Sequence, residues 1–145
     1  MKVALAVARF YEDLADRLVA GARAVLDADK SITAIEEFEV PGAYELPMAA
    51  KLLAGSGRYA AVVCLGAVIR GETDHYNYVC SESARGIQEV QLTTGVPCSF
   101  GVLTVENREQ ALARSGGDKR DSGRHAAEAV LALLQVKERL AAANR

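Results

Sequence analysis

The chain has 145 residues, half of them apolar and a quarter charged, and its 17 basic and 19 acidic side chains leave a net charge of −2. A fold of that length buries roughly two thirds of its unfolded surface, enough for one domain over residues 1–145 without covalent staples. The charge balance, with no basic block, excludes nucleic acid and anionic membrane as main partners, and no segment reaches the about 18 apolar residues of a membrane span.

The opening MKVALAVARF holds an apolar run from Val3 to Ala8 and no small-residue cleavage site, so it reads as a strand of a cytoplasmic protein and not as a signal peptide. Leu14, Leu18, Ala22, Val25 and Leu26 then recur at helical spacing, with Glu12 and Asp13 where the helix dipole favours acids. In ITAIEEFEV at 32–40, Phe38 and Val40 alternate with Glu37 and Glu39, the pattern of a half-exposed strand at a sheet edge. Pro41-Gly42 turns the chain. A second helix runs from Tyr44, with Pro47 in its first turn, to GSG at 55–57.

AAVVCLGAVI at 60–69 does not alternate, which predicts a strand covered on both faces in the middle of a parallel sheet. Tyr76, Val79, Cys80, Ser83, Ile87, Val90, Gln91 and Thr94 mark one face of a third helix, closed by Gly95 and Pro97. PCSFGVLTV at 97–105 is a fourth strand with proline at its first position. A short helix at 106–114, a loop SGGDKRDSG at 115–123 and a last helix facing inward through Ala127, Val130, Leu131 and Leu134 complete the chain. Cys64, Cys80 and Cys98 are odd in number and widely spaced, as core thiols of a reducing compartment would be.

Alternating strands and helices predict a three-layer α/β/α sandwich around a four-stranded parallel sheet. So narrow a sheet leaves edges and apolar surface for neighbouring subunits to cover. Ligands of such sheets bind at the carboxyl ends of the strands. Here those ends are Arg9 to Tyr11, Pro41 to Glu45, Gly71 to His75, and Thr104 to Asn107.

The third end is the most informative. Glu72 and Thr73 are expected to open a helix whose first N–H groups suit an anion, and His75 on its first turn can exchange protons near neutrality. The plainer alternative makes Thr73 an N-cap and His75 a solvated loop residue. Asp74 favours an imidazolium and weakens a phosphate site. Glu45 suits a ligand or simply the start of a helix. Phe10 could stack on a flat ring, but taken by itself it reads as a core residue. Arg114 offers a fork for phosphate or complements a helix C-terminus.

VPGAYELP at 40–47, LGAVIRGETDHYNYV at 65–79 and GVPCSFGVLTVENREQALARSGG at 95–117 together resemble the lumazine synthase family, in register from about Ala6 to Leu134. The resemblance implies a flavodoxin-like fold. It also implies condensation of 5-amino-6-ribitylaminouracil with 3,4-dihydroxy-2-butanone 4-phosphate, releasing phosphate and water, in riboflavin biosynthesis. No metal or organic cofactor is implied, and the partners are small-molecule substrates and copies of the same chain in pentamers or their multiples. Phe10 would stack on the pyrimidine, Ala43, Tyr44 and Glu45 would bind the ribityl-bearing substrate, and Ala67, Val68 and Ile69 would line the same pocket. Glu72 and Thr73 would meet the butanone phosphate, and His75 would move protons. Phe100 and Arg114 would reach in from the adjacent subunit.

Departures from the family pattern are Ser122, where members usually carry a lysine before the glycine of the last helix, and Asp74, where the family more often has an uncharged residue. Lys119, Arg120 and Arg124 are candidates to replace that lysine. The chain starts directly at its first strand, so the resemblance fixes no assembly beyond the pentamer. Two other functions stay open at this level. One is a non-catalytic relative that binds lumazine or flavin for storage or signalling, and the other is a generic flavodoxin-like phosphate-binding module.

Overall fold

Seven residues, Lys2–Ala8, form β1, and six of them are buried, since strands flank it on both edges and helices cover both faces. The computed structural model describes residues 1–144. After β1 come α1 (Glu12–Asp27), β2 (Ala34–Val40), a 3-10 turn (Ala43–Glu45) and α2 (Leu46–Gly55). They are followed by β3 (Ala61–Ile69), α3 (His75–Thr94), β4 (Cys98–Val105), α4 (Arg108–Ala113) and α5 (Ser122–Ala143). All pairings are parallel and the strand order is β2-β1-β3-β4, so the acidic, half-exposed β2 lies at an edge as its alternation predicts.

Each strand sends alternate side chains to opposite faces. Val3, Leu5 and Val7 of β1, with Val63, Leu65, Leu103 and Val105, pack under Leu14 and Leu18 of α1 and Ala126, Ala127 and Val130 of α5. Ala4, Ala6 and Ala8 face the other way, with Val62, Cys64 and Val102, under Leu46, Ala50 and Leu53 of α2 and Val79, Ile87 and Val90 of α3. The result is a three-layer α/β/α sandwich of flavodoxin-like form. The small residues of β1 let α2 come close to the sheet. Gly66 continues this pattern, since a Cβ there would lie 2.9 Å from that of Ala8.

On the opposite face α1 and α5 nearly touch. A Cβ on Gly123 would stand 2.0 Å from the Leu18 carbonyl oxygen. Asp121 starts α5 by accepting the Arg124 N–H at 3.1 Å.

Several boundaries differ from the sequence expectation. Glu72 and Thr73 do not open α3; they lie in bends before it, and the helix starts at His75. The peptides of Asn77 and Tyr78 both donate to the Asp74 carbonyl, so the helical ladder begins there. Pro97 precedes β4 but still joins the ladder through its carbonyl, which accepts Val62 N–H at 2.8 Å. Leu131 and Leu134 are half-buried, beyond the point where the sheet still covers α5. Among the described residues no helix is long and apolar enough to cross a membrane.

Candidate active site

A cavity of about 420 Å³ opens at the carboxyl ends of the strands. It lies where the strand order turns from β1 toward β2 on one side and from β3 toward β4 on the other, the place where such sheets bind ligands. Phe10 and Tyr11 enter it from the end of β1, Pro41 to Glu45 from the turn after β2, Ala67 to Ile69 from the end of β3, and His75 and Val79 from α3. Glu45 and His75, thirty positions apart in sequence, border the same space.

Local chemistry explains the placement. Gly42 is extended (φ −146°) and its N–H donates to Glu45 Oε1 at 2.9 Å, which closes the turn into α2. This is one half of a capping box, glycine lacking a side chain for the other. The His75 N–H meets Thr73 Oγ1 at 3.3 Å. Phe10 is 73% exposed, so the core reading of this ring is overturned. Its edge contact with Tyr11, centroids 4.9 Å apart at 76°, holds it over the cavity.

Arg9 anchors the segment behind Phe10. Its guanidinium pairs with Asp16 of α1 and with Glu39 (3.1 Å) and Glu37 (3.7 Å) of β2, and the hydrogen bond to Asp16 raises its pKa above the usual value. Sequence reading placed Arg9 at a strand end without a role. Its signal was the acidic alternation of β2, legible only once β2 is known to pair with β1. Tyr11 lies at an expected strand end but had no role assigned, and Val79 was expected only as part of the α3 face.

Glu72, Thr73, Phe100 and Arg114 do not line the cavity. Phe100 sits on the edge strand β4 and is 40% exposed, so its own chain does not absorb the ring. Arg114 ends α4 and donates from Nη1 to the Gln110 carbonyl at 3.2 Å. The loop after it folds back, with Lys119 N–H and Arg120 N–H donating to the Ala113 carbonyl and Ser122 N–H to that of Arg114. Among the replacements for the family lysine, Arg120 contacts His125 Nδ1 at 2.8 Å and Arg124 lies 3.6 Å from Glu128. The ammonium of Lys119 makes no hydrogen bond or ion pair among the described residues.

A four-stranded parallel sheet with an aromatic-rimmed cavity at its switch point defines a flavodoxin-like domain with a small-molecule site. The family model described as 6,7-dimethyl-8-ribityllumazine synthase matches residues 1–138. A protein of that name from Kineococcus radiotolerans is 50% identical over 138 residues, which is 94% of this chain and 83% of the relative. Another, from Coxiella burnetii, is 43% identical over 140 residues, 96% of this chain and 93% of the relative. The chain belongs to the 6,7-dimethyl-8-ribityllumazine synthase family.

Proposed function

We propose that this chain is a transferase of riboflavin biosynthesis that condenses 5-amino-6-(ribitylamino)uracil with 3,4-dihydroxy-2-butanone 4-phosphate to give 6,7-dimethyl-8-ribityllumazine. The observation that carries this reading is the meeting of Glu45, His75 and the exposed Phe10 at one cavity. Imine formation, phosphate elimination and ring closure need a proton carrier and two molecules held in register, and orientation alone lowers such barriers by about 7 kcal/mol or more.

In this scheme Phe10 stacks on the pyrimidine, while Ala43, Tyr44 and Glu45 hold the ribityl chain and Ala67, Val68 and Ile69 form the floor. His75 moves the protons. Glu72 and Thr73 meet the phosphate, together with Arg114 of an adjacent copy, whose Phe100 covers the pyrimidine. No step calls for a metal or an organic cofactor. The homopentamer is what the family resemblance implies; self-association is supported by the exposed Met48, Leu52, Tyr78, Leu92 and Phe100, apolar groups that a neighbour would remove from water. A cytoplasmic setting is in keeping with three unpaired cysteines.

Mixing the pure protein with both substrates is expected to produce the lumazine absorption band faster than the spontaneous reaction. Folded protein that adds nothing to the spontaneous rate but binds riboflavin tightly would replace this reading with a binding role.

A further inference from the structure

The segment 71–74, which delivers His75 to the cavity, is poorly tied down by itself. All four residues are exposed, and a Cβ added to Gly71 would meet nothing within 4 Å. Among the described residues the side chains of Glu72 and Asp74 and the imidazole of His75 make no hydrogen bond or ion pair. Yet a side chain that moves protons at a reacting centre must be held in place.

The residues bracketing this segment are joined to each other. The Arg70 guanidinium lies over the Tyr76 ring, 4.2 Å from its centroid. Arg70 comes directly after β3, where its N–H donates to the Val105 carbonyl at 2.9 Å, and Tyr76 is the second residue of α3. From the other side Glu106, just past β4, accepts from Arg70 Nε with both carboxylate oxygens, at 2.9 and 3.1 Å. Tyr76 is half-buried on the first turn of α3, so the helix start fixes its ring. The ends of β3 and β4 and the start of α3 thus converge on one planar cation, which spans the segment leading to His75.

We propose that Arg70 is a positioning residue for His75: gripped by Glu106 and stacked on Tyr76, it clamps the two ends of the 71–74 loop and so sets where the imidazole enters the cavity. The kinetic part of this inference rests on the lumazine-forming reading; the structural part does not. A planar fork is needed, since a lysine ammonium offers neither the flat stacking face nor the fixed donor geometry. The exposed ion pair with Glu106 adds little stability, so the role is geometric.

The test uses the full-length protein with Arg70→Met, Arg70→Lys, Tyr76→Leu and the Arg70→Met/Tyr76→Leu double variant. Arg70→Met is expected to lower kcat about 10- to 100-fold while moving the KM of the uracil substrate by less than about threefold, as misplacement of a proton carrier does; the KM of the phosphate substrate, met by Glu72 and Thr73 of the same loop, is free to rise. Arg70→Lys is expected not to rescue, and the double variant to be no slower than the slower single one, because both break one unit. Hydrogen exchange is expected to quicken at residues 71–75 in Arg70→Met and to stay unchanged in β3 and β4. A purely structural role would lower the melting temperature and spare kcat per folded site.

An active wild type with Arg70→Met turning over within about twofold of it would overturn the proposal. So would full kcat in Arg70→Lys. If the wild type forms no lumazine, the functional reading fails, and the exchange measurement alone decides the clamp: unaltered exchange at 71–75 in Arg70→Met rejects it.

Discussion

Glu45 turns its carboxylate back onto its own turn, where Oε1 accepts the Gly42 N–H at 2.9 Å, while the other carboxylate oxygen has no partner among the described residues. One side chain therefore shapes the cavity wall and presents an acceptor at it. Replacing Glu45 by alanine is expected to raise the KM for the uracil substrate by about tenfold, the worth of one charged hydrogen bond. It should also lower stability by about 1 kcal/mol through the lost cap. Glu45→Gln keeps an acceptor for Gly42 and should show the smaller effect on both. Steady-state kinetics and urea melts of the two variants check this.

Arg114 and Lys119 leave the same folded-back loop, tied through the Ala113 and Arg114 carbonyls. Arg114→Ala is expected to raise the KM for the phosphate substrate more than that for the uracil. Lys119→Ala should do the same to a lesser degree, while Arg124→Ala, already engaged with Glu128, should not. Equal effects of Arg114→Ala on both substrates would remove its phosphate role.

Gly123 lies against the Leu18 backbone with no room for a methyl group. Gly123→Ala must push α5 off α1, and overpacking of this kind costs about 1–3 kcal/mol or more. Its urea midpoint should fall well below that of Gly55→Ala, where a Cβ meets nothing within 4 Å.

Burial pushes the Cys64 thiol up, and lifts that of Cys98 from 9.0 to about 11. The native state then holds these protons longer than the unfolded chain. The stability they contribute is complete below pH 9 and lost as pH rises through the folded values, so unfolding should become easier between about pH 9 and 11. Tyr59 and Tyr76, also raised mainly by burial, steepen the same trend above pH 10. Urea midpoints between pH 8 and 11 should fall, and fall less in Cys98→Ala. In native protein a thiol reagent should label half-buried Cys80 before Cys64 and Cys98.

Met48 and Leu52 share one outward face of α2 and are 62% and 63% exposed. Sedimentation at micromolar protein should show an oligomer, and Met48→Glu/Leu52→Glu should dissociate it. Activity should then fall with it, because Phe100 and Arg114 lie away from the cavity of their own chain.

The sequence by itself determined the strands, most helices and the fold class, because those depend on periodicity: the unbroken run 61–66 is buried throughout, and the alternation of β2 marks an edge. Of the four strand ends it singled out, those after β1 and β2 and, through His75, that after β3 reach the cavity, while Thr104 to Asn107 do not line it. What it misread were choices between nearby alternatives. Phe10 taken alone looks like a core ring and only the family resemblance puts it at the site, and Glu72 and Thr73 look like a helix start.

Only the tertiary structure decided these. Whether Phe10 is buried depends on what packs above the end of β1, and whether α3 starts at Glu72 or His75 depends on the Asp74 carbonyl taking the first helical bonds. The grip of Glu106 and Tyr76 on Arg70 joins positions 36 and 6 residues away, a contact no local pattern encodes. Periodicity records which face of an element is buried; it cannot record which distant side chain arrives to meet it, because that is set by how the layers stack.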